Sequence, residues 1–148
     1  MSKEILIKRF RPGAIIPKQA TTGAAGMDLY ACIDSPVTIG HGELKMIPTG
    51  VGIALPDSEC AAFIYARSGL GIKHGICLAN GVGVVDSDYR GEIAVGLCNV
   101  SNKEYTVNPG DRIAQMVIAP VIPCRLSLCE QLPQTSRGEG GFGSTGKK

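Results

Sequence analysis

The sequence predicts an all-β fold, a sandwich or jelly roll, and three observations predict it. Short apolar runs recur at regular spacing, each bounded by Gly, Pro, Asn or Asp. The chain holds 20 Gly and 9 Pro, punctuation too dense for long helices. Apolar residues make up 44% and aromatic residues only 5%, so the core must be packed from Ile, Val, Leu and Ala. A chain of 148 residues is enough for one domain with its own core.

Taken in order, Glu4 to Arg9 alternates polar and apolar residues, the period of a strand. Pro12 and Pro17 then break the chain, and Gly23 to Gly26 is a small-residue loop. A second strand is expected over Met27 to Ile33. Further strands follow at Val37 to Ile39, Leu44 to Ile47, Val51 to Leu55 and Ala61 to Ala66. A short helix can follow Arg67-Ser68-Gly69. Strands resume at Ile76 to Ala79, Val82 to Val85, Glu92 to Val100 and Tyr105 to Val107. Ile113 to Ile122 is ambiguous: Ile113, Met116 and Val117 fit one helix face, with Asp111 as a cap. Dense β-branching and Pro120 favour a strand there. No internal repeat is visible. Residues 1–136 are read as the domain, and Arg137 to Lys148, with five Gly and almost no apolar surface, as an arm that is mobile when free.

The charge balance, 15 basic against 13 acidic residues, gives no reason to expect nonspecific nucleic-acid or membrane binding. No window approaches eighteen unbroken apolar residues, and the start lacks an apolar signal core. Cys32, Cys60, Cys77, Cys98, Cys124 and Cys129 include no CxxC pair. They are read as mostly buried thiols in a reducing, cytoplasmic setting rather than as disulfides. A metal site is the weaker reading, because His41 and His74 lie far from Cys124 and Cys129 in sequence.

The densest chemistry lies at Gly83-Val84-Val85-Asp86-Ser87-Asp88-Tyr89-Arg90-Gly91-Glu92. An apolar strand runs directly into a cluster of charge, and polar groups beside a buried strand need partners or ligands. Arg67-Ser68-Gly69 also follows an apolar strand. Arg can clamp a phosphate bidentately and Gly lets backbone approach it, although an ordinary surface turn has the same composition. In Gly110-Asp111-Arg112-Ile113-Ala114-Gln115, Gln115 faces either a pocket or water. The arm nearly matches a P-loop through Gly141 and Gly146-Lys147. It fails on Lys148 in place of Ser or Thr, on the lack of a feeding strand and on the lack of a following helix. Its parts still suit phosphate, and Phe142 offers a flat face for a base.

Together and in this order, these segments resemble the trimeric dUTP pyrophosphatase (dUTPase) family. The five matching motifs are Ala25 to Leu29, Arg67 to Ile76, Gly83 to Gly91, Gly110 to Gln115 and Arg137 to Gly146. They span nearly the whole chain. Two positions depart from the family pattern: Ala66 stands where Pro usually precedes Arg-Ser-Gly, and Gly81 follows Asn80, where a small residue would loosen the hairpin.

The resemblance implies a β jelly roll assembled as a homotrimer, with three active sites between subunits and an arm closing over each. It implies hydrolysis of dUTP to dUMP and pyrophosphate by water attack on the α-phosphorus, which keeps uracil out of DNA and supplies dUMP. Asp86 would orient and deprotonate the water and hold the ribose 3′-hydroxyl, while Asp88 would be structural. Tyr89 would pack under the deoxyribose and exclude a 2′-hydroxyl. Asn80 and the hairpin backbone from Gly83 to Val85 would read uracil. Arg67, Ser68, Gly69 and Gln115 would bind phosphates. Arg137, Ser144 and Thr145 would close over the γ end, Phe142 would cover the base, and Gly143 between them would also bind substrate. Mg2+ would ride on the triphosphate, with Asp28 touching it through water or pairing with an Arg instead. Two alternatives stand beside this reading: a dCTP deaminase, whose relatives look like Arg-Ser-Ser at the second motif and lack the arm, and a non-catalytic nucleotide-sensing module on the same fold.

Overall fold

Strands form where β-branched runs can lay one face on a shared core, and the Gly and Pro residues between them end each strand quickly. The computed structural model describes residues 3–141; Phe142, Gly143, Ser144 and Thr145 lie outside the described residues. The elements are β1 (Leu6–Arg9), β2 (Met27–Tyr30), β3 (Val37–Ile39), β4 (Leu44–Pro48), β5 (Val51–Ala54), β6 (Cys60–Tyr65), α1 (Ser68–His74), β7 (Ile76–Leu78), β8 (Gly83–Val85), β9 (Ala94–Asn99), β10 (Tyr105–Val107) and β11 (Arg112–Pro120). The all-β class forms as expected; the short helix begins at Ser68, within Arg67-Ser68-Gly69 rather than after it, and Ile113 to Ile122 is a strand rather than a helix, bounded at Arg112–Pro120.

Every ladder is antiparallel. Among the described residues they make four sheets: β1-β5, β10-β3, β2-β11-β6-β8 and β4-β9-β7, none of them closed into a barrel. One core joins them, with Leu29, Ile39, Ile47, Val51, Ile64, Leu97 and Met116 contributed by seven different strands. Leu70 of α1 belongs to the same core, so the helix is tied down by one buried side chain. Among the described residues, no helix is long and apolar enough to cross a membrane.

Three local differences from the sequence reading have clear causes. All four residues of β1 are exposed despite their alternation, because this edge strand pairs only with β5. The run from Glu92 enters β9 only at Ala94, because Ile93 N–H donates to Val51 O (2.8 Å) and its carbonyl accepts from Thr49 N–H (3.1 Å). The thiols are not mostly buried: Cys60 is, Cys32, Cys77 and Cys98 are half-buried, and Cys124 and Cys129 are exposed. The last two lie beyond β11, in a stretch that no described strand pairs with.

One buried polar side chain couples two sheets. Asn99, at the end of β9, donates to Ile39 O (2.8 Å) and Lys103 O (2.7 Å), and its Oδ1 accepts from Ser101 N–H (2.9 Å) and Oγ (2.8 Å). Truncating it strands several buried polar groups at once. Asn99→Ala is expected to cost about 2–3 kcal/mol in urea denaturation, more than a typical surface substitution.

Candidate functional site

The charged cluster is built on the β6–β8 ladder. Ala62 pairs with Val85 and Ile64 with Gly83, so Val85 is buried and the chain leaves the sheet at Asp86. A tight turn follows, in which Tyr89 N–H donates to Asp86 O (3.2 Å). Arg90 Nη1 donates to Ser87 O and Tyr89 O, both at 2.8 Å. The arginine of the cluster is thus spent on holding the turn. The turn leaves Asp86 exposed and Tyr89 half-exposed at the rim of a cavity of about 230 Å3. Asn80, Gly83, Val85, Asp86 and Tyr89 line it, over an apolar floor that includes Ile64, Leu78 and Val95. Gly81 has φ +72°, a left-handed conformation that closes the turn through Gly81 N–H to Leu78 O (3.1 Å). It is therefore the residue this hairpin needs rather than one that loosens it.

A second basin, of about 370 Å3, gathers Asp28, Arg67, Ser68, Gly69, Arg112 and Gln115. Strand register explains the grouping. Gln115 of β11 lies opposite Asp28 of β2 on one side and Tyr65 of β6 on the other. Arg67 follows β6 with only Ala66 between them and stands in extended backbone just before α1. Arg67 Nε donates to Asp28 Oδ1 (3.0 Å) and Arg112 Nη1 to Asp28 Oδ2 (3.2 Å). Arg67 Nη1 also reaches Arg112 O (3.4 Å). Gln115 Nε2 donates to Ala66 O (3.0 Å). Two guanidiniums on one carboxylate leave an excess positive charge, oriented by a side chain only 14% exposed. Such a constellation suits an anion with several oxygens.

The same geometry tests the metal expectation. Both oxygens of Asp28 are engaged by arginine, and no group of three or more His, Cys, Asp or Glu that could hold an ion occurs among the described residues. The donor set here does not fit a resident divalent cation, which needs several free oxygens.

Among the described residues, none lines both basins. The candidate base and sugar residues therefore form one group, and the candidate phosphate residues another. Arg137 lines neither; its Nε donates to Gly140 O (2.8 Å) in a local turn.

Sequence reasoning missed Arg112, although it lies within Gly110 to Gln115, because nothing in that segment says which residue reaches Asp28. It also missed the role of Glu92. Glu92 Oε1 accepts from Arg11 Nε (2.7 Å) and Gly50 N–H (2.8 Å). The Arg11 hydrogen bond holds the Glu92 carboxyl below the usual glutamate range, against the opposing effect of burial. Arg11 is 81 residues away in sequence, so no local pattern could have signalled this pair.

Known proteins are similar over the whole chain. The dUTPase family model matches residues 13–146. The deoxyuridine 5′-triphosphate nucleotidohydrolase of Idiomarina loihiensis is 50% identical over 144 residues, covering 97% of this chain and 95% of that protein. The nucleotidohydrolase of the same name from Thiobacillus denitrificans is 49% identical over 148 residues, covering all of both chains. Among solved structures, a mutant dUTPase of Staphylococcus bacteriophage 80alpha with dUpNHpp superposes with a TM-score of 0.87 at 23% identity, covering 98% of this chain and 99% of that one. A mutant dUTPase of S. aureus phage phi11, described as coordinating a structural Mg(II) ion, gives 0.79 at 20% identity, covering 88% of this chain and 99% of that one. The two phage enzymes speak for the fold alone. The family model and the half-identical, full-length relatives go further: this chain belongs to the dUTPase family.

Proposed function

We propose that the protein hydrolyses dUTP to dUMP and pyrophosphate. The observation that carries the reading is the pairing of two complementary basins on one chain. One is a hairpin cavity with a rim carboxylate; the other is an arginine-rich anion site. A dCTP deaminase is disfavoured by Arg67-Ser68-Gly69, and a retired site by the intact Asp86, Tyr89 and Arg137.

In this mechanism the exposed Asp86 orients a water toward the α-phosphorus and takes its proton, as a carboxylate ionised at neutral pH can. It also accepts from the ribose 3′-hydroxyl. Asn80 and the backbone from Gly83 to Val85 read uracil by its N3 donor and O4 acceptor. Cytosine reverses both, and the resulting unpaired groups are worth about 10⁴-fold in discrimination. Tyr89 packs under the deoxyribose and leaves no room for a 2′-hydroxyl. Arg67, Ser68, Gly69 and Gln115 hold the phosphates, with Arg112 and Asp28 fixing Arg67. Mg2+ would be carried on the triphosphate as part of the substrate and would offset its charge, and Asp28 would meet it only through water.

Because the two basins share no lining residue among the described residues, a complete site is proposed to form between subunits of a jelly-roll homotrimer. The stretch after β11 supports this assembly: Ile122, Leu126, Leu128 and Leu132 are 82–103% exposed in the single chain. Apolar surface on that scale calls for a partner. Residues 137–148 then act as an arm, with Arg137, Ser144 and Thr145 closing on the γ end, Phe142 on the base, and Gly143 between them also binding substrate. The free thiols fit a cytoplasmic setting.

A pyrophosphate-release assay on dUTP, dCTP, dTTP and UTP, with ammonia release from dCTP, tests the reading. Turnover of dUTP alone is expected, with each competitor at least about 10²-fold slower in kcat/KM. Ammonia release, or no turnover at all, would reject it. Sedimentation of the full chain tests the trimer.

A further inference from the structure

We propose that Glu92 is a positioning residue for sugar selection, acting through Tyr89. The inference rests on the dUTP reading above and adds to it a residue outside the hairpin turn.

Tyr89 can discriminate between sugars only if its ring stays in one place, and it is half-exposed at the end of a turn. Its hydroxyl donates to the backbone carbonyl of Glu92 (3.0 Å). The ring also lies directly over Gly91, so closely that a Cβ at position 91 would collide with it. Tyr89 is therefore placed by the Gly91–Glu92 segment. That segment is held in turn by the Glu92 side chain, whose Oε1 accepts from Gly50 N–H (2.8 Å) and from Arg11 Nε (2.7 Å). Gly50 leads directly into β5, a strand with three buried residues, so the anchor is rigid. On the same strand, a Cβ at Gly52 would come within 2.5 Å of Gly91 O, showing how closely the segment lies against β5. Glu92 also lines the hairpin cavity. The chain of placement runs from the core through Gly50, Glu92 and Gly91 to the tyrosine ring.

The carboxylate satisfies a backbone donor and a guanidinium with one oxygen, at 23% side-chain exposure. Its removal frees the segment to shift, and displacing a positioning group by about 1 Å can cost up to about 10²-fold. A general loss of stability would lower turnover of every nucleotide alike. Loss of the sugar contact instead changes the ratio of dUTP to UTP.

The test compares kcat/KM for dUTP and UTP in the wild-type full chain and in Glu92→Ala, Glu92→Gln, Arg11→Ala, Tyr89→Phe and Tyr89→Ala, with Tm recorded for each. The dUTP/UTP ratio is expected to fall about tenfold or more in Glu92→Ala and Tyr89→Phe, and by less in Arg11→Ala. Glu92→Gln keeps an acceptor for both donors and is expected to restore most of the ratio. If Glu92→Ala does not fold, Arg11→Ala and Tyr89→Phe carry the test. A ratio lost in Tyr89→Ala but unchanged in the Glu92, Arg11 and Tyr89→Phe variants overturns the role of Glu92 and leaves the tyrosine reading standing. A wild type that treats dUTP and UTP alike, or a Tyr89→Ala variant that still discriminates, overturns both.

Discussion

Replacing Asp86 with Asn is expected to reduce kcat for dUTP by at least about 10³-fold while leaving nucleotide affinity within a few-fold of wild type. Asn has the shape of Asp and can still accept from a ribose hydroxyl, but it cannot take a proton from water. The cost therefore falls on the chemical step. Asp86 stands where β8 ends, exposed at the rim of the hairpin cavity, and no described side chain or backbone donor holds its carboxylate. It is available to a ligand, unlike Asp28, which is locked between two arginines. The variant should also fold normally, because the turn uses the backbone carbonyl of Asp86 rather than its side chain. Single-turnover kinetics with dUTP and calorimetric binding of a non-hydrolysable analogue separate the two quantities. Near-normal turnover would remove Asp86 as the base.

Truncation after Ser136 is expected to leave a folded protein whose kcat/KM is lowered by about 10²-fold or more. Neither half of the expectation depends on the other. Stability should survive because, among the described residues, the last strand ends at Pro120 and the core draws nothing from beyond Ile118. Among the described residues, Arg137 and Gly140 hydrogen-bond to each other in a local turn. Activity should fall because Arg137 and the Gly-rich stretch after it would close the phosphate end and exclude bulk water. Circular dichroism and sedimentation check the first half, and steady-state kinetics the second. A truncated chain with wild-type kinetics would leave the arm without a role in closure.

What could be read from the sequence, and what could not, divides along contact range. The strands were legible because their signals are local: β-branched runs, and the Gly and Pro residues that end them. Even Ile113 to Ile122, which fits a helix face by spacing, declared itself through β-branching and Pro120. The candidate site residues were legible because they cluster in short ordered motifs, each on one turn or one strand end. The failures were all failures of partnership. Alternation in β1 could not say that no second layer covers it. Six cysteines could not say that Cys124 and Cys129 lie beyond the last strand. Asp28 could be read as a metal contact through water or as a partner of an Arg, and only the register of β2 against β11, with Arg67 arriving from β6, shows the carboxylate held by two guanidiniums.

By itself, then, the amino-acid sequence determined the all-β class, the order of the strands and the family to which this chain belongs, because propensity, turn chemistry and motif spacing act over a few residues. Only the tertiary structure decided that the candidate base residues and the candidate phosphate residues lie in separate basins, and that Arg11 reaches Glu92 behind the tyrosine. Those facts depend on which distant segments share a sheet or a hydrogen bond. That choice is made by packing around the common core, and no short stretch of chain encodes it.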